Sequence, residues 1–259
     1  MAWDRLGDGP AVVLVHGTPS WSFVWRKVAP RLAERFSVYL LDLLGYGDSE
    51  RRHDQDMAVA AQGRALAELL ELWGLDRPAL VGHDVGASVV LRAHLMEGRP
   101  AARLALVDAA VLLPWNTRAT LHMKAHLEAY RTMPAHIYER VVAGHLTTAV
   151  HRPLAPETLA AYLRPWQGAE GQAAYFRKIE QWDDGDMAVL EERLGEIAVP
   201  TLVLWGAEDA WLPLAVADRL AAAIPGARLA VIPGAGHFAT EDEPAAVTAA
   251  LLEFLGEGP

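Results

Sequence analysis

Short runs rich in valine and leucine, at residues 11–15, 37–43, 79–82, 104–107, 201–205 and 229–232, alternate with longer amphipathic stretches. Those stretches, at about 21–34, 57–73, 86–97, 215–224 and 244–255, carry apolar residues at helical spacing. A strand that is apolar along its whole length has no face to give to water. When each such strand is followed by a helix, the arrangement that hides both faces is a mostly parallel sheet covered by helices on both sides. The fold class is therefore α/β.

Residues 112–193 depart from the alternation. This stretch has helical spacing throughout, includes Trp115, Trp166 and Trp182, and offers no convincing strand. It is expected to be a helical cap inserted into a core formed by residues 1–111 and 194–259. Ligands of open α/β sheets bind beyond the carboxyl ends of the strands, so an insertion at such an end can form a lid over the site. A chain of 259 residues, 52% hydrophobic, has enough apolar material for such a core.

Composition removes several kinds of function. Acidic residues outnumber basic ones, 33 to 23, and no stripe of Lys and Arg is present, which argues against nucleic acid as a partner. The absence of cysteine removes disulfides, thiol nucleophiles and thiolate metal sites together. No secretion signal opens the chain and no apolar run is long enough for a bilayer, so a soluble cytoplasmic protein without membrane contacts is expected.

The chemistry concentrates where strands end. Gly82-His83-Asp84-Val85-Gly86 leads from a strand into a helix and places an aspartate between two glycines, the spacing of a nucleophile elbow. Taken alone, Asp84 has a lesser reading as a helix cap. Asp209 follows the strand at 201–205, where it could be an ordinary turn residue. His237 lies in the glycine-rich loop after the strand at 229–232, where it could be a surface histidine. The order nucleophile, acid, histidine, each after its own strand, makes Asp84, Asp209 and His237 a candidate triad. Asp108, at the end of another strand, is the alternative acid. Ser88 lies one helical turn beyond the elbow and is expected to face the helix or solvent. His122 and His126 have the spacing of half a metal site but no evident third ligand. Gly45-x-Gly47 runs into a charged loop rather than a helix, unlike a dinucleotide site.

These motifs, with His16-Gly17-Thr18-Pro19, Gly45-Tyr46-Gly47-Asp48-Ser49, Gly236-His237-Phe238 and Trp21-Ser22-Phe23-Val24-Trp25-Arg26, resemble the α/β-hydrolase fold over nearly the whole chain. Within it they resemble the aspartate-nucleophile branch, which includes epoxide hydrolases, haloalkane dehalogenases and fluoroacetate dehalogenases. The resemblance implies an oxyanion hole built from the backbone N–H groups of Thr18 and Val85. It also implies a two-step hydrolysis through an alkyl ester of Asp84, with no cofactor and no metal, acting on a small apolar organic substrate.

The leaving group separates the subclasses. The tryptophan that holds halide just after a dehalogenase nucleophile is replaced here by Val85, and the second halide-binding position reads Thr18. The arginine that holds a haloacid carboxylate is absent. Cap tyrosines would protonate an opening epoxide, with Tyr175 first and Tyr130 and Tyr138 as earlier candidates. An epoxide hydrolase is therefore the leading expectation. A haloalkane or haloacid dehalogenase using Trp115 or Trp182 is the alternative, and a non-catalytic ligand-binding protein is the reading from another class.

Overall fold

The computed structural model describes residues 1–257. Its centre is a seven-stranded sheet: β1 (Trp3–Leu6), β2 (Ala11–Val15), β3 (Ser37–Leu41), β4 (Ala79–His83), β5 (Arg103–Val107), β6 (Thr201–Gly206) and β7 (Arg228–Ile232). The spatial order is β1-β3-β2-β4-β5-β6-β7, and every neighbouring pair is parallel except β1 with β3. The strand order reverses at β2. Its successor β3 lies on one side, and β4 lies on the other. Loops leaving β2 and β4 diverge there and open a crevice at the carboxyl ends, the usual binding position in open α/β sheets.

The helices of the core are α1 (Ala29–Leu32), α2 (Val59–Leu72), α3 (Val85–Leu95), α10 (Leu214–Ala223), α11 (Ala239–Asp242) and α12 (Pro244–Gly256). Between β5 and β6 run α4 (Arg118–Ala125), α5 (Leu127–Arg131), α6 (Ala135–Leu146), α7 (Pro156–Leu163), α8 (Gly168–Gln181) and α9 (Asp184–Arg193), with no strand among them in the described residues. No described helix is long and apolar enough to cross a membrane.

Three local expectations need correction. The stretch 21–34 is not one helix. It folds as a 3-10 turn at Ser22–Trp25 followed by the single-turn α1, whose first turn contains Pro30. Proline lacks the N–H that a continuing helix needs and blocks the preceding turn. The strand at 37–43 ends at Leu41, and the buried Asp42 carboxylate instead accepts the N–H groups of Ser22 (2.8 Å) and Asp48 (2.8 Å). The edge strand β1, with sequence WDRL and a mostly exposed pattern, gave no apolar run to recognise. Ser88 faces neither its helix surface nor solvent: it is fully buried and donates to the Ala110 carbonyl at 2.6 Å.

Candidate active site

Asp84 stands between β4 and α3 with φ 52° and ψ −124°. An L-residue rarely adopts such a conformation, and it does so here because the surroundings leave the turn no room to relax. A Cβ on Gly82 would lie 2.4 Å from the Gly86 carbonyl oxygen, and one on Gly86 would lie 2.4 Å from that of His16. The two glycines thus let α3 pack directly against the sheet and force Asp84 outward. Its side chain makes no capping bond to α3. The helix-cap reading of this residue is therefore not what the geometry holds.

The two carboxylate oxygens have different surroundings. Oδ2 accepts the backbone N–H of Thr18 at 2.6 Å, and Thr18 follows β2. Oδ1 lies 3.6 Å from Nε2 of His237. Burial alone would push the Asp84 carboxyl up, but the His237 imidazole and the Thr18 N–H outweigh it and hold it below its ordinary range. It is a carboxylate at neutral pH.

His237 is fully buried. Its Nδ1 bonds Oδ2 of Asp209 at 2.9 Å, and Nε2 has no hydrogen-bond partner among the described residues. The other Asp209 oxygen accepts the N–H groups of Trp211 (2.8 Å) and Leu212 (2.9 Å), which fixes the carboxylate against the ring. Burial disfavours the imidazolium, but Asp209 and then Asp84 outweigh it and raise its pKa well above the ordinary value. The loop that carries His237 is held by Asp242, whose Oδ2 accepts the N–H of Gly236 at 2.9 Å and of His151 at 2.8 Å, while Oδ1 accepts that of Arg152 at 2.9 Å. The His237 carbonyl accepts a hydrogen bond from Nε2 of His83 at 2.8 Å.

Asp108, the alternative acid, does not reach the histidine by hydrogen bond. Its Oδ1 accepts the N–H of Gly206 at 2.7 Å, its Oδ2 has no hydrogen-bond partner among the described residues, and burial followed by the Asp209 charge pushes its pKa well above the usual carboxylate range. Asp108 braces β5 against β6, whereas Asp209 orients the imidazole. Any reaction in which His237 takes a proton should depend on the second far more than the first. Asp209→Asn is expected to cost about 10,000-fold in kcat, because an amide neither fixes the tautomer nor stabilises an imidazolium. Asp108→Asn should stay within about tenfold. Side-by-side kinetics on the two folded variants check this, and the reverse ranking would exchange the roles.

Thr18 and Asp84 open onto a small cavity, ≈ 20 Å³, whose far wall belongs to the helical segment. Helix α8 presents Tyr175, Lys178 and Ile179 to it, the i, i+3, i+4 spacing of one helical face, and Trp182, the extended residue just past its end, adds to the same wall. Tyr175 is buried, and no hydrogen bond reaches its hydroxyl among the described residues. Trp115 and Trp182 also line the cavity, edge to face with centroids 5.1 Å apart, but the Trp115 indole N–H already donates to Asp184 at 3.0 Å. Tyr130 and Tyr138 do not line it. Tyr130 packs on Phe176 (5.8 Å) and His122 (6.0 Å), and the Tyr138 hydroxyl donates to the Trp166 carbonyl at 3.0 Å. Both are corrections to the expectation that one of them would meet substrate; each is held by its packing on Phe176 of α8.

Two features were missed in the sequence. Trp211, just past Asp209, covers the triad: its ring lies 4.8 Å from that of His237 and stacks on His145 at 4.3 Å. Lys178 is 1% exposed and donates to the Thr18 hydroxyl at 2.8 Å. A charged residue within the apolar stripe of α8 was the signal that could have found it. No described cluster of three or more His, Asp or Glu could hold a metal. His122 and His126 face each other at 4.7 Å without a third ligand.

A family model for the alpha/beta hydrolase fold matches residues 10–244. An uncharacterized protein of Mycobacterium tuberculosis is 31% identical over 92% of this chain and 73% of its own length. Haloalkane dehalogenase 2 of the same organism is 28% identical, covering 96% of this chain and 89% of the relative. A crystal structure of an alpha/beta hydrolase fold protein from Burkholderia ambifaria superposes with TM-score 0.94 at 38% identity, over 97% of this chain and 93% of that one.

Proposed function

We propose that this chain, which belongs to the α/β-hydrolase fold family, is an epoxide hydrolase that works through a covalent alkyl ester of Asp84. The observation that carries the reading is the division of labour within one carboxylate. Oδ2 rests on the Thr18 N–H, where an oxyanion would be held, and Oδ1 lies beside an imidazole nitrogen that has no hydrogen-bond partner among the described residues. A carboxylate so held can attack a saturated carbon with Oδ1. The resulting ester keeps its carbonyl oxygen, Oδ2, on the Thr18 N–H, with the Val85 N–H at the start of α3 as second donor. Water activated by His237 then attacks the carbonyl carbon.

Alkylation also prepares the base. Asp84 loses its charge on forming the ester, and with it goes one of the two anions that keep His237 protonated. The imidazole can then release its proton and accept one from water, with Asp209 holding it in place. Attack on an ordinary carboxylic ester would instead give an anhydride, which makes that substrate class the poorer fit for an aspartate.

The helical segment acts as the cap, and α8 faces the departing atom. Tyr175 supports an epoxide as substrate because its hydroxyl is free to donate to the opening oxygen. Tyr175→Phe is expected to lower epoxide turnover by about ten- to a thousand-fold, the scale of losing one charge-stabilising donor. The wild type should release little halide from chloro- or bromoalkanes. The specific observation that favours the second reading is Trp182 at the cavity wall, together with the similarity to a haloalkane dehalogenase. A panel of epoxides, haloalkanes and haloacids, with diol and halide assayed separately, decides between them. Fast halide release without epoxide turnover would make this a dehalogenase with the same Asp84, Asp209 and His237.

A further inference from the structure

Lys178 is placed where a lysine is expensive. A methionine would fill the same position in the α8 stripe without desolvating a charge. No carboxylate of the described residues lies within ion-pair distance of it, and its one hydrogen bond goes to the Thr18 hydroxyl. The rest of the ammonium is surrounded by aromatic rings: Tyr175, Trp182 and Trp166, with centroids 4.0, 4.8 and 5.3 Å from Nζ. Aromatic faces offset part of the desolvation but accept no full hydrogen bond. The nearest opposite charge it senses is Asp84. Only Thr18 separates the two, since its hydroxyl takes the lysine and its backbone N–H takes the carboxylate.

We propose that Lys178 is the acid that protonates the leaving oxygen as Asp84 opens the ring, while the Tyr175 hydroxyl keeps its proton and only hydrogen-bonds the same oxygen. The inference rests on the epoxide reading given above. Oδ1 of Asp84 forms a bond to one ring carbon, the C–O bond breaks, and its electron pair stays on oxygen. That oxygen takes a proton from the Lys178 ammonium, leaving a neutral amine and a hydroxyalkyl ester. Hydrolysis of the ester then regenerates the Asp84 carboxylate and releases one proton, which restores the ammonium. The sum is epoxide plus water to diol. Through the cycle the fixed cation faces an anion only where one exists, first on Asp84 and then on the departing oxygen.

The proton is also suited to the task. Burial pushes Lys178 down to about 7, with Asp84 opposing it only in part, so the group can give a proton near neutral pH. The sign follows. The acid form is needed, so ring opening is fast below about 7 and falls as pH rises through that value. Its neighbours do not produce this limb. Asp84 is held ionised in the wild type, and its protonation in His237→Gln slows the reaction toward acid, the opposite limb; His145 on α6 is pushed down to about 4 by burial and by Lys178 itself. Tyr175 on its own helix and Tyr46 after β3 are both pushed up by burial. His237 does titrate above its ordinary range, so it is replaced in the test.

Alkylation of Asp84 by styrene oxide, followed by rapid-quench intact-protein mass spectrometry across pH, is measured in His237→Gln and in His237→Gln with Lys178→Met. The first should show a rate that falls about tenfold per pH unit above about 7. The second should be slower by about a hundred-fold below that pH and should lack the limb. Lys178→Arg, which keeps the charge but holds its proton, should also lack the limb. Equal rates and profiles with and without Lys178 overturn the role of the lysine and leave the Asp84 reading intact. No adduct in His237→Gln and no diol from the wild type, over a panel of epoxides, overturn both. Should Lys178→Met fail to fold by circular dichroism, the profile of His237→Gln decides alone, and a rate independent of pH between about 6 and about 9 overturns the proposal.

Discussion

Asp84→Ala is expected to lose all measurable turnover, a fall of about a million-fold in kcat, because no second group can form the bond to carbon. Two other carboxylates near the histidine are already engaged: Asp209, whose oxygens are occupied by His237, Trp211 and Leu212, and Asp108, which binds Gly206. Neither lines the cavity. Water alone, activated by His237, would have to open the ring without covalent help. The isotope test is sharper than the rate. In a single turnover in ¹⁸O-labelled water the first diol should carry enzyme oxygen, since Oδ1 forms the bond to carbon and water later attacks the carbonyl carbon. Labelled oxygen should enter Asp84 in that turnover and reach product only in the next. A first diol whose new oxygen comes from the solvent would remove Asp84 from the role of nucleophile.

His237→Gln is expected to divide the reaction into its halves. Turnover should fall by about 100,000-fold, the scale of removing a base on which the other members of the site depend. Alkylation should persist, because Asp84 needs no base to be an anion. Intact-protein mass spectrometry should therefore find a stable adduct on a protein that is nearly inactive. The loss of His237 has a further effect that can be checked. The imidazole is foremost among the groups that keep Asp84 ionised against burial. Without it the carboxyl should bind a proton at higher pH, so adduct formation should fade toward mildly acid conditions, where the wild type still forms its ester. A folded His237→Gln that binds substrate and never forms the adduct would place the histidine in the first step instead.

What could be read from the sequence divides along a physical line. The strands declared themselves because both faces are buried, as in β2 and β5, and the elbow declared itself because its glycines are required by close packing around Asp84. The order of Asp84, Asp209 and His237 was legible because each follows a strand whose end is fixed by the sheet. Asp209 could be preferred to Asp108 in the sequence but not separated from it, since both follow strands and only the loop geometry after β6 delivers a carboxylate to Nδ1. The cap residues were least legible. Which face of α8 meets the cavity depends on how it packs over the sheet, so Tyr175 could be proposed while Lys178, one turn on, was passed over. Trp211 was missed because a tryptophan beside a turn has no pattern that distinguishes a triad cover from surface packing.

The Asp242 carboxylate ties together parts of the chain that a parts diagram would separate. Its three acceptor contacts run to Gly236 beside the histidine and to His151 and Arg152 in the helical segment, and the Phe238 N–H returns to the Ala149 carbonyl at 2.8 Å. The segment and the core are therefore not interchangeable modules. A chimaera that carries residues 112–193 from a relative onto this core inherits foreign backbone at 149–152, and a misplaced N–H there pulls on the same carboxylate that sets the histidine loop. Recombination to change substrate range should keep residues 149–152 together with 236–242 and cut the segment nearer α7 and α9. Directed evolution that varies α8 alone leaves this joint untouched, which makes that helix the safer place to alter selectivity.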